Sequence, residues 1–219
     1  MLLVRRRAAP GGRIDPAGTV VNIASREPRA VPFSWLYHGM TRDLVAGVER
    51  DLNAQAGHDY HHRVASVAVH AAFVTEAAIN EIAYWLGTHL TRRIEMPARF
   101  DRLSIQEKWR TVPKVCCAEP FNERTPPWED FSALVELRNA IAHAAAYAPP
   151  PERVVQLLEV RGCTQPASDW FESVMTVRTA RWAHRTAAAM PLALKALLAP
   201  HIDLHNGGFS WAWDEAWLR

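Results

Sequence analysis

The rhythm of apolar and polar positions changes near residue 58. From His58 to Leu90, "HDYHHRVASVAVHAAFVTEAAINEIAYWLGTHL" contains no proline, and its first glycine is Gly87. Val64, Val67, Ala68, Ala71, Ala78, Ile82, Trp85 and Leu86 recur at helical spacing and form one stripe. Ala65, Ala72, Phe73 and Ala83 make a second apolar face, interrupted by Glu76 and Asn80 one turn apart. A helix apolar on most sides belongs at the centre of a bundle, with other helices around it.

Further helices are legible downstream. In "SIQEKWRTVPKVCC", Ser104 and Glu107 form a Ser-x-x-Glu capping box, so a helix starts after Ser104 and is expected to kink or end at Pro113. A third helix is predicted from about Trp128 to Tyr147, stopped by the proline run Pro149 to Pro151. "RVVQLLEV" (Arg153 to Val160) is short and bounded by proline and Gly162, which leaves strand and helix both open. The last long helix is predicted over about Ser168 to Leu198, bent at Pro191.

Residues 1–57 read differently. Pro10, Gly11, Gly12, Pro16, Gly18, Pro28 and Pro32 punctuate them, and "TVVNIA" (Thr19 to Ala24) is the one plausible strand. A short helix is expected from about Thr41, with Thr41 as its N-cap. The expected organisation is an irregular N-terminal extension (1–57), a helical bundle (58–198) and a tail (199–219). The tail holds Trp211, Trp213 and Trp217, and three tryptophans in so short a span call for burial against the chain itself or a partner. The fold class is all-α, with room for one small β-hairpin in the extension.

Composition narrows the function classes. The chain has 219 residues, 49% hydrophobic and 22% charged, and a formal charge of +2. That describes a globular protein and excludes nucleic-acid binding by bulk charge, leaving a local basic patch open. Arginine outnumbers lysine 22 to 3, a bias read here as the codon usage of a GC-rich genome. Cys116, Cys117 and Cys163 are odd in number and lack a Cys-x-x-Cys spacing, which argues against a disulfide framework or a cysteine zinc site and fits a reducing cytoplasm. No apolar run reaches the eighteen or so residues of a membrane span, and "MLLVRRRAAPGGR" lacks the order of a secretory signal.

Candidate chemistry concentrates in "LVELRNAIAHAAAY" (Leu134 to Tyr147). At about 100° per residue, Phe131, Leu134, Val135, Ile141, Ala142 and Ala145 fall in one broad arc with Arg138 near its middle, while His143 lies about 140° from Arg138. Asn139 and His143 share the adjoining flank, one turn apart. A buried guanidinium needs a partner or a wet surface. Arg138 therefore either bridges to a carboxylate on a neighbouring helix, with Glu76 the natural choice, or faces a cleft where it meets an anionic substrate. Elsewhere the signals are weaker. His58 and His62 have metal-ligand spacing, but Asp59 is the one third ligand nearby, so a solvated helix start is the favoured reading. His184, His201 and His205 read as structural or surface residues. A glycine-rich phosphate loop and a serine nucleophile elbow are both absent.

"LRNAIAH" resembles the Arg-x4–6-His signature of HEPN domains, helical bundles found in ribonucleases of toxin–antitoxin, abortive-infection and CRISPR-associated systems. "FVTEAAINEIA" is similar to the early helix of that family, which often carries a glutamate and an asparagine at this spacing, and "SIQEKW" fits between the two. The resemblance covers about residues 58–147, extending to 198 with the closing helix. It implies a homodimer whose two motifs meet in a cleft and cut RNA without a metal or cofactor. Arg138 and His143 would then be catalytic with Asn139 beside them, and Glu76 and Asn80 would support them. Histidine titrates near neutrality and suits a 2′-hydroxyl base, and a guanidinium suits the charge on a phosphorane. The products would end in a 2′,3′-cyclic phosphate. The resemblance also names the partners to expect, an RNA substrate and an antitoxin or nucleotidyltransferase, in a cytoplasmic defence setting. Some members continue as His-x-Tyr; here that position is Ala145 and the tyrosine is Tyr147, so tyrosine modification is not carried over. A non-catalytic helical dimer that binds a partner protein or nucleotide through the same cleft is the alternative.

Overall fold

The computed structural model describes residues 13–14, 20–21, 33–53, 59–88, 94–117, 119–143 and 148–204. The chain divides into two compact units, residues 1–31 and 32–219. In the first, β1 (Arg13–Ile14) pairs antiparallel with β2 (Val20–Val21), Arg13 opposite Val21 and Ile14 opposite Val20. This is the small hairpin for which the sequence left room. The second unit is an all-α bundle.

Its first helix departs from expectation. α1 runs from Phe33 to Asn53, where an irregular segment with a short helix from Thr41 was predicted. The prolines that dominated that reading all lie at or before Pro32 in the sequence, and the helix starts at Phe33. Beyond Pro32, Tyr37, Leu44, Val45 and Val48 pack on the core at helical spacing. Thr41 is no cap: it is buried mid-helix, and its hydroxyl donates to the Tyr37 carbonyl at 2.7 Å.

α2 (Asp59–Thr88) is the centre of the bundle, as its all-round apolar pattern requires. All eight residues of its predicted stripe are buried, with Val74 and Ile79 added. α1 lies antiparallel along it. Ser34, at the start of α1, is held through its backbone N–H and its hydroxyl by Glu81 near the end of α2, while Asp51 near the end of α1 pairs with Arg63 near the start of α2 at 2.9 Å.

α3 (Ile105–Cys116) opens with the predicted capping box. Ser104 Oγ accepts from the Glu107 N–H, and Glu107 Oε2 accepts from the Ser104 N–H at 2.8 Å, a cap that contributes about 1 kcal/mol. Pro113 lies inside this helix, which continues for three more residues. Trp109, buried on α3, donates its indole N–H to the Thr75 carbonyl at 3.2 Å. With Phe121, Trp128 and Phe131 it forms an aromatic cluster with ring centroids 5.5–6.2 Å apart, which fixes α4 (Trp128–Ala142) against α2 and α3.

The chain after α4 settles one open reading and corrects one prediction. Arg153 to Val160 belongs to a helix, α5 (Glu152–Val160), with Val154 and Leu158 buried one turn apart. The predicted single closing helix is two: α6 (Trp170–Val174) and α7 (Val177–Leu198). The break falls at Met175 and Thr176, because Thr176 is extended and its hydroxyl caps α7 by accepting from the Thr179 N–H at 3.2 Å. Pro191 is buried within α7. Among the described residues no helix is long and apolar enough to cross a membrane. The tryptophan-rich tail, His58, His205, Ala145 and Tyr147 lie outside the described residues.

Candidate functional site

The position of Arg138 follows from where α4 leaves the core. Trp128, Phe131, Ala133, Leu134, Val135 and Leu137 are buried. From Arg138 onward the helix emerges: residues 138–141 are half-buried, and Ala142 and His143 are exposed. Of the predicted arc, Phe131, Leu134 and Val135 are buried, Ile141 is half-buried and Ala142 is exposed. Arg138 thus continues the stripe of Phe131 and Leu134 beyond the point where that stripe is covered. α4 ends at Ala142, short of the expected Tyr147, and His143 is its C-cap with φ −102° and ψ 28°.

The guanidinium is held without an acid. Arg138 Nη1 donates to Asn139 Oδ1 at 2.9 Å, and the guanidinium carbon lies 5.3 Å from the centroid of the Phe73 ring. No ion pair joins Glu76 to Arg138, so the orienting role expected of Glu76 falls to Asn139 and Phe73. Among the described residues no carboxylate pairs with this arginine. Of the five N–H donors of a guanidinium, one is committed to Asn139. The cation is positioned but not neutralised.

Asn139 also connects the two signature residues. Its side chain accepts from Arg138, and its carbonyl accepts the His143 N–H at 2.9 Å. The His143 imidazole is exposed at the helix end, with no hydrogen bond to Arg138. One chain therefore brings Arg138 and Asn139 into contact and leaves His143 reaching outward. Asn80 belongs elsewhere: it lines a separate groove with Tyr84, Phe100 and Lys108.

The structure gives Phe73, read from the sequence only as part of an apolar face, a place beside Arg138, and adds residues around it. The Phe73 ring, 36% exposed, is flanked by Tyr37 of α1 at 6.2 Å and edge-on by His70 at 6.4 Å. His70 Nδ1 lies 2.8 Å from the Ser66 carbonyl, one turn back. A carbonyl only accepts, so Nδ1 is the donor in this contact. The signal was the helical spacing of His70 and Phe73 on the helix that already held Glu76. Leu36 and Met40, 45% and 42% exposed, flank Tyr37 along α1, so apolar surface extends beside Phe73.

Other nucleophiles and ligand sets do not compete. Burial, with Cys117 adding to it, pushes the Cys116 thiol up to about 12, and burial pushes Cys163 up to about 11, which disfavours the thiolate at neutral pH. His61 is buried and its Nδ1 meets the Met175 carbonyl at 2.8 Å, while His62 is exposed beside Phe171. Among the described residues no group of three histidine, cysteine or acidic side chains is placed to hold a metal ion.

In comparisons with known proteins, no family model, no curated protein and no solved structure matches the chain.

Proposed function

We propose that the chain is an HEPN-like endoribonuclease of toxin or phage-defence type, cutting RNA by 2′-hydroxyl attack without a metal. The observation that carries this reading is Arg138: a guanidinium on an emerging helix end, fixed by an amide and a ring, with its charge uncancelled. Such a cation suits the charge that develops on a phosphorane. His143, exposed one turn from Asn139, moves the proton. Within one chain the exposed His143 makes no hydrogen bond with Arg138, and in this reading a second copy completes the cleft. The exposed Phe73 ring beside Arg138, and the exposed Leu36 and Met40 on α1, support pairing through apolar surface.

The test is cleavage of single-stranded RNA by purified protein. Arg138→Ala and His143→Ala each lower the rate by about 10²–10⁴-fold while the fold persists. Excess EDTA leaves the rate unchanged, products end in a 2′,3′-cyclic phosphate, and 2′-O-methylated RNA is inert. Light scattering gives about twice the 24.6 kDa chain mass. An inactive wild type with an intact dimer would transfer the face to the binding of a partner protein or nucleotide.

A further inference from the structure

A second concentration of cations lies on different elements. Arg178, Arg181 and Arg185 recur along α7 at positions i, i+3 and i+7, on one side of that helix. Together with Arg161, the C-cap of α5, they line a pocket of about 490 Å³ against the start of α4. One carboxylate, Asp130, lines the same pocket, and it is already committed: it accepts from Arg161 Nε at 2.8 Å and from the Trp182 indole at 3.1 Å.

The four guanidiniums are not equally engaged. Arg161 is held by Asp130 and Glu129, and Arg181 by Glu49 at 2.7 Å. Arg178 donates to the Gly162 carbonyl at 3.2 Å, and Arg185 makes only a long bond of 3.4 Å to the Arg181 carbonyl. No carboxylate lies within ion-pair distance of Arg178 or Arg185 among the described residues. Gly162, at φ +65°, makes the turn that presents its carbonyl to Arg178. Like charges gathered this way repel one another, and an anion between them relieves that repulsion. Their convergence registers on the neighbouring Cys163, where Arg185, Arg178 and Arg161 all oppose the effect of burial on the thiol. The rest of the wall is mostly apolar: Pro126, Pro127, Ala189, Cys163 and the buried Trp182, with the buried Thr186 among them. The volume is in the range of a small-molecule site.

We infer that this pocket between α4, α5 and α7 binds a small polyphosphate-bearing ligand, with the phosphates on Arg178 and Arg185 and any organic portion against Pro126 and Pro127. Guanidinium forks match phosphate oxygens bidentately. The site is distinct from Arg138 and does not rest on the ribonuclease reading.

Calorimetric titration of the full chain tests it, using tripolyphosphate and a nucleoside triphosphate separately, without magnesium and at low salt. Saturable one-to-one binding of tripolyphosphate is expected, weakening as salt rises. Tighter binding of the nucleoside triphosphate would assign the apolar wall to a base, and equal binding would assign the site to the phosphates alone. The double variant Arg178→Gln/Arg185→Gln weakens either ligand at least about tenfold. Both residues are exposed, so a matching thermal melt of the variant guards against unfolding. Arg138→Ala leaves the affinity unchanged. Absence of saturable binding at millimolar ligand overturns the inference. So does binding that survives the double variant or is lost in Arg138→Ala, and so does binding shown by long RNA alone.

Discussion

The two ends of α4 treat arginine in opposite ways. At its start, Arg161 is clamped by two carboxylates of the first turn, Glu129 at 3.0 Å and Asp130 at 2.8 Å, where the helix dipole favours negative charge. Near its end no acid pairs with Arg138 among the described residues, and Arg138 is held by the amide of Asn139 and the face of Phe73. A carboxylate fixes a guanidinium and cancels it. An amide and a ring fix it and leave the charge standing. The same side chain is therefore structural at one end and open to an anion at the other, and the difference lies in the neighbours.

Removing the clamp should have the larger effect on stability. Asp130→Ala takes the acceptor from both Arg161 Nε and the Trp182 indole in one change. Because Arg161 is partly exposed and water can replace part of the loss, the expected destabilisation is about 1.5–3 kcal/mol, read by urea denaturation. An unchanged midpoint would mean that the first end of α4 is no more pinned than the last, and the contrast would fail.

How far the sequence carried each end can be traced to particular residues. The apolar stripe of α2 and the Ser104 cap are set by local spacing, and both were legible. The arc of α4 was legible in angle, yet nothing local says that coverage stops after Leu137; that depends on which helices reach the last turn. The same limit hid the partner of Arg138. Glu76 was a sound choice by charge, but side-chain pairing across helices depends on their register, and register placed Phe73 there. The helix from Phe33 was missed because prolines on one side of a boundary were allowed to speak for both. Thr176 was missed because a cap inside an apolar run looks like an ordinary helical threonine.

Histidine offers a second form of the contrast, with a smaller effect. His184 on α7 is buried, its Nε2 has no hydrogen-bond partner among the described residues, and its ring stacks 4.6 Å from His38. Burial, with the charges of Arg42 and Arg185 adding to it, holds its pKa below the ordinary value of 6.5. The unfolded chain therefore takes up this proton at a higher pH than the folded one. Its contribution is complete above pH 6.5 and falls away as pH drops from there through the folded value. The slope from this residue is at most about 1.4 kcal/mol per pH unit. Urea titrations between pH 7 and 5 should show a stability loss that His184→Gln flattens, and an identical slope in the variant would remove His184 from the account.

The smallest expected change sharpens the comparison most. If Arg138 is positioned but not needed by the fold, Arg138→Ala should lose little more than the ring contact, about 0.5–1 kcal/mol. A double-mutant cycle with Phe73→Leu isolates that contact, since the leucine keeps apolar bulk and removes the ring face. The expected coupling is a few tenths to about 1 kcal/mol. Loss of RNA cleavage in Arg138→Ala at nearly unchanged stability would then separate the use of this arginine from its support of the fold. A loss of about 3–5 kcal/mol would say the reverse. It would mean that the guanidinium is a structural pin like Arg161 at the start of α4, and that its emergence from the core does not make it available to a substrate.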